Sequence, residues 1–105
     1  MSDEATARPA HGARLVVKLD PGAPVEGVYA LAVSTPDGEW SGSATVGAED
    51  GAVTFGSWGS HDPASWVVAA LRALLRLAWQ RRRAGEPWPR RLARWRPTPP
   101  PAESP

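Results

Sequence analysis

The chain contains no cysteine. It therefore has no disulfide framework, no thiolate metal site and no cysteine nucleophile. Histidine is nearly as scarce, with only His11 and His61 present. Neither stands in an H-x₃-H or H-E-x-x-H spacing, and no calcium-type carboxylate loop occurs. The phosphate-cradling patterns G-x-x-x-x-G-K-[ST] and G-x-G-x-x-G are missing as well. Long apolar runs are also lacking. The longest, Trp66 to Trp79, is interrupted by Arg72 and Arg76 and falls short of the ~18 residues a membrane span needs. The opening residues MSDEATARPAHGAR hold no apolar segment of the signal-peptide kind. The expectation from these absences is a cytoplasmic chain with no cofactor and no membrane span.

Lysine is limited to Lys18, so the positive charge is arginine, and it is unevenly placed. Residues 1–62 carry three bases against nine acids, whereas the rest carry nine arginines against two acids. The formal net charge of +1 conceals this split. A segregated basic segment serves either as a binding surface or as a strap that neutralises the acidic front. From Arg72 the arginines are interleaved with Trp79, Trp88 and Trp95.

A length of 105 residues allows one small domain. Residues 1–13 are small, polar and unpatterned, which predicts a disordered leader. Arg14 to Asp20 alternates Leu15, Val17 and Leu19 with Val16 and Lys18, the period of a strand. Val25 to Ser34 is a second strand, with Val25, Gly27, Tyr29, Leu31 and Val33 on one face. Val28, Ala30 and Ala32 make its other face apolar too, which marks a central strand, covered on both sides or lined by small residues. Thr35-Pro36-Asp37-Gly38 is a turn signal. Trp40 to Val46 and Ala52 to Gly56 complete an antiparallel meander of three to four strands.

Asp62 and Pro63 read as the cap and first residue of a helix running to about Ala84 and stopped by Gly85. Val67, Leu71, Leu74, Leu75 and Ala78 form its apolar stripe, widened by Trp66, Ala70 and Leu77. Arg72, Arg76, Gln80 and Arg83 fall opposite. Such a wide apolar face flanked by arginine also suits a membrane surface, but a sheet with one apolar face needs a cover, and this is the helix available. The fold class predicted is α+β: the meander packed against one long C-terminal helix. The expected core is Leu15, Val17, Leu31, Val33, Val46, Val53, Phe55, Val67, Leu71, Leu74, Leu75 and Ala78. The domain is expected over 14–96, followed by a disordered Pro-rich tail over 97–105.

Segment 86–96 admits two readings. Trp88, Leu92 and Trp95 lie at i, i+4 and i+7, so a short helix or extended strap would dock them as one stripe on the core. Alternatively the tryptophans are displayed with the arginines, to grip a partner or to stack on unpaired bases. Arg90, Arg91, Arg94 and Arg96, with Trp88 and Trp95, are the candidate partner-binding residues. Arg94 to Pro100 also matches R-x-x-P-x-x-P, a form that docks in aromatic grooves.

Gly56-Ser57-Trp58-Gly59-Ser60-His61-Asp62 gathers Ser, His and Asp. A triad sets the hydroxyl and the carboxylate on opposite imidazole nitrogens, which adjacent residues seldom achieve, and G-x-S-x-G is absent. The expectation is therefore a non-enzymatic interaction module. Its partner is a protein with an acidic or groove-like surface, or a second copy of the chain. Nucleic-acid binding through the same segment is the alternative.

Overall fold

The computed structural model describes residues 11–22, 26–59 and 61–99. Five strands and one helix follow in the order β1 (Ala13–Leu19), β2 (Gly27–Thr35), β3 (Gly38–Val46), β4 (Val53–Phe55), α1 (Ser65–Arg83) and β5 (Arg91–Arg96). They form one five-stranded sheet, ordered β4-β3-β2-β1-β5, in which every neighbouring pair is antiparallel. The predicted α+β architecture is the one observed. Residues 1–10 of the expected leader, Val25, Ser60 and residues 100–105 of the expected tail lie outside the described residues.

The meander follows from alternation and turn chemistry. β2 occupies the centre of the sheet, as its two apolar faces implied. It pairs with β3 from Gly27↔Val46 to Thr35↔Gly38. Pro36 and Asp37 close that hairpin, where the Asp37 N–H donates to the Thr35 hydroxyl at 3.1 Å. The pleat sends Leu15 and Val17, Tyr29, Leu31 and Val33, and Ala44 and Val46 to one side of the sheet. There they meet Val67, Leu71, Leu74, Leu75 and Ala78 of α1 in one buried cluster. Each fully buried Leu or Val in it contributes roughly 1.5–3 kcal/mol. Val53 and Phe55, expected in the core, sit at its margin on the short edge strand and are half-buried. Ala13, Tyr29, Ala44 and Leu92 are buried members beyond the expected set.

Two helix boundaries behave differently. Asp62 and Pro63 do not cap α1. The residue before the first helical turn is Ala64, extended at ψ 149° and without a side-chain cap bond. The Pro63 ring is buried instead, so its contact with the interior displaces it from the first helical position. The C-terminus ends as predicted. Gly85 has φ +99°, and the N–H groups of Gly85 and Glu86 donate to the carbonyls of Arg82 and Arg81, each at 3.1 Å. That paired closure is the Schellman motif. Arg81, Arg82 and Arg83 lie in the last turn, where the dipole favours cations.

Residues 91–96 take the extended one of the two forms expected for this segment. They form an edge strand on β1, from Ala13↔Arg96 to Lys18↔Arg91, not a helical turn. The i, i+4, i+7 spacing of Trp88, Leu92 and Trp95 therefore has no helix to act on. A period of two governs instead, and Leu92 and Trp95 point to opposite faces. β1 leaves its outer edge unpaired after the meander forms, and pairing it with β5 satisfies those backbone groups.

Candidate interaction surface

β5 joins the arginine-rich end of the chain to the sheet. Its register places Leu92, Arg94 and Arg96 beside Val17, Leu15 and Ala13, on the helix side. Leu92 is buried, Arg94 half-buried and Arg96 exposed. Arg91, Ala93 and Trp95 emerge on the opposite face, beside Lys18, Val16 and Arg14.

On that opposite face Ala30, Ala32, Ser41 and Ser43 are exposed, and among the described residues no helix packs over it. Its middle row runs Ser41, Ala32, Val16, Ala93 across β3, β2, β1 and β5. A flanking row runs Ser43, Ala30, Lys18, Arg91, and the other runs Glu39, Ser34, Arg14, Trp95. Small side chains thus form the centre. The cations Arg14, Lys18 and Arg91 frame it on the β1–β5 flank, with Trp95 at the corner. Trp95 is 45% exposed, the one large hydrophobic side chain so displayed among the described residues. Its indole N–H donates to the His11 carbonyl at 3.1 Å, and the His11 ring meets it edge-on at 5.3 Å. One edge of the ring is thereby anchored while much of the ring stays in water.

Trp88 has the opposite fate. Its ring lies over Gly27 and edge-on to Tyr29, with centroids 6.4 Å apart, half-buried against the core. The Tyr29 hydroxyl donates to the Pro89 carbonyl at 2.8 Å, which pins the segment leading into β5. The full burial of Tyr29 pushes its phenol up to about 12.

The predicted site residues therefore separate. Arg91 and Trp95 share the open face, Arg94 and Arg96 line the helix side, exposed Arg90 precedes the strand, and Trp88 belongs to the interior. Arg14 and Lys18 were not singled out as site residues from the sequence. Their position opposite Leu15, Val17 and Leu19 is visible in the alternation, but their proximity to Arg91 and Trp95 depends on a strand pairing across more than seventy residues of chain.

The outer rim of β5 has its own geometry. The Leu19 N–H donates to the Arg90 carbonyl at 2.8 Å. Bonded positions recur every second residue in an antiparallel pair. Leu92, Arg94 and Arg96 consequently turn their backbone groups toward β1, while Arg91, Ala93 and Trp95 turn theirs outward. The Arg94 guanidinium donates to the Ala93 carbonyl at 2.8 Å, covering one outward acceptor. The other edge is treated alike. On β4 the outward carbonyl of Val53 accepts from the Arg72 guanidinium at 3.2 Å.

Three of the helix arginines lie over aromatic rings. Arg72 lies 5.1 Å from the centre of the Phe55 ring. Arg76 and Arg83 lie 5.7 and 5.1 Å from that of Trp79, whose N–H donates to the Ala48 carbonyl. In the Ser/His/Asp stretch, the Ser57 hydroxyl accepts from the Gly59 N–H at 3.3 Å, and the His61 ring meets Trp40 edge-on at 5.6 Å. Among the described residues no cluster of His, Asp or Glu could hold a metal ion, and no helix is long and apolar enough to cross a membrane. Compared with protein-family models, with curated proteins and with solved structures, the chain matches none.

Proposed function

We propose that the chain is a non-enzymatic interaction module that binds a protein partner on the β1–β5 flank of its open sheet face. The observation that carries this reading is the convergence of Lys18, Arg91 and the displayed Trp95 beside a row of small side chains. Tryptophan and arginine are among the residue types enriched at protein interfaces, and here they stand beside small side chains that let a partner approach the sheet closely. The cations select a partner with an acidic surface, and their charge speeds encounter with it. A nucleic-acid reading would be served by several displayed aromatics, but Trp88 is drawn into the interior and leaves Trp95 alone on the face.

A photo-crosslinking side chain at Ala32 or Ala93, in the full chain expressed in its native cells, tests the reading. The expected result is a discrete protein adduct from both positions, either with another protein or with a second copy. Lys18→Glu and Arg91→Glu together, or Trp95→Ala, should reduce it at least tenfold. Adducts made of nucleic acid, or equal adducts from a probe at Arg76 on the far side of α1, would replace this reading.

A further inference from the structure

The outer rim of β5 extends that reading from a surface to a mode of binding. We infer that β5 is a receptor edge for an extended acidic segment, which adds to the sheet as a sixth strand and is admitted by displacing Arg94 from the Ala93 carbonyl.

β5 is an edge of the sheet, and no described strand pairs with its outer side. It is twice as long as the opposite edge, six residues against three, so it offers a run of backbone groups that β4 lacks. Arg91, Ala93 and Trp95 point those groups outward. An arriving strand can pair with each of them, as in strand-addition recognition. One group is already taken, because the Ala93 carbonyl lies at the centre of the run and holds the Arg94 guanidinium at 2.8 Å. A neutral strand would have to break that contact and leave the guanidinium uncompensated. A carboxylate on the incoming strand, facing the helix side, gives the guanidinium a better acceptor in the two-pronged geometry arginine favours. Its arrival therefore frees the carbonyl for pairing in the same event.

Charge and side-chain pattern agree with an acidic occupant. Arg90, Arg91, Arg94 and Arg96 surround the edge, and among the described residues no acidic side chain pairs with them. A second copy of β5 would bring those same cations together, which disfavours pairing of two copies through this edge. The two faces of β5 differ as well. The helix side offers Arg94 and Arg96, whereas the open face offers Ala93 and Trp95, with Arg91 at its end. An incoming strand that alternates carboxylate and apolar side chains matches both at once, with carboxylates beside Arg94 and Arg96 and apolar groups against Ala93 and Trp95.

The inference rests on the β1–β5 flank being a protein-binding surface, and the experiment separates the two. The probe is a seven-residue acetylated, amidated peptide of alternating valine and glutamate, titrated into the full chain. A second peptide of the same sequence has every backbone nitrogen methylated, which keeps its charge and removes its donors. The expected result is binding of the first peptide, with amide hydrogen exchange at Arg91, Ala93 and Trp95 slowed at least tenfold. Affinity for the methylated peptide should be at least tenfold weaker, and Arg94→Gln should weaken binding of the first by a similar factor. Equal affinity for the two peptides, or unchanged exchange at those three amides, would overturn edge pairing while leaving a charged binding surface. No binding of either peptide at millimolar concentration would overturn both.

Discussion

The ring of Trp88 occupies the space that a side chain at position 27 would need, since a Cβ on Gly27 would stand 2.9 Å from two of its carbons. The relationship recurs. A Cβ on Gly42 would meet Trp58 at 2.7 Å, and one on Gly51 would meet Trp79 at 2.5 Å. Gly27 and Gly42 belong to strands, where a glycine weakens a sheet by leaving backbone uncovered, and Gly51 lies in the turn before β4. Here an indole from a distant part of the chain supplies the missing cover. Most of the tryptophans that made the chain look like an aromatic binding strip are thus fitted to glycines, and their large area is spent on packing.

The Gly27–Trp88 fit makes a specific prediction. Gly27→Ala should destabilise the protein by roughly 1–3 kcal/mol, the cost of overfilling a packed site, read as a lower urea midpoint at unchanged slope. In a Trp88→Leu background the same substitution should cost much less, because the two positions are in contact and their effects do not add. Gly85→Ala is a useful contrast. Nothing lies within 4 Å of its Cβ position, and only its φ of +99° resists a side chain. Its cost should be about 1 kcal/mol from backbone strain alone and should be independent of Trp88.

Tryptophan emission should report the division between Trp88 and Trp95. Trp88 is half-buried against Tyr29, so Trp88→Phe should remove a blue-shifted component. Trp95, 45% exposed, should contribute red-shifted emission that Trp95→Phe removes. Loss of the same component in both variants would show the two rings sharing one environment.

Much of the fold was legible because its signals are local. β1 to β4 follow from alternation broken by turn residues, and the helix face from Val67, Leu71, Leu74, Leu75 and Ala78 follows from its period. The start of α1 misled, because Pro63 answers to burial and not to helix-cap statistics. The β5 segment is ambiguous for a deeper reason. Trp88, Leu92 and Trp95 have helical spacing, but the free edge of β1 decides their conformation, and no local pattern reveals that edge. The candidate surface inherited that difficulty: Arg91 and Trp95 could be named from the sequence, while Arg14 and Lys18 join them only through the β1–β5 pairing.

The two arginine caps predict different outcomes at the two edges. Arg94→Ala would uncover the Ala93 carbonyl and remove a charge from a six-residue edge. Unprotected edges of that length template association with other chains, so light scattering at high protein concentration should rise while the unfolding midpoint changes little. Arg72→Ala acts on a three-residue strand, too short to template association. Its effect should instead be on stability, about 0.5–1 kcal/mol from losing the contact with Phe55, with no rise in scattering. Equal scattering by both variants would show that edge length is not what matters.

Tyr29 gives the fold a defined alkaline limit. Burial raises its phenol from 10.0 to about 12, because the interior disfavours the phenolate. The folded state therefore holds its proton more tightly than the unfolded state does. The corresponding stability is fully present below pH 10 and is lost as the pH rises through about 12. Urea midpoints should accordingly fall across that window, in step with phenolate absorbance, since Tyr29 is the only tyrosine in the chain. Tyr29→Phe should begin about 1 kcal/mol less stable at neutral pH, having lost the hydrogen bond to the Pro89 carbonyl. Its midpoint should then lack the decline that the parent chain shows over the same window. The loss should also loosen the approach to β5, so that amide exchange at Leu92, whose N–H turns toward β1, quickens before the centre of the sheet responds. A Tyr29→Phe midpoint that tracks the parent's alkaline decline would assign that decline to another group.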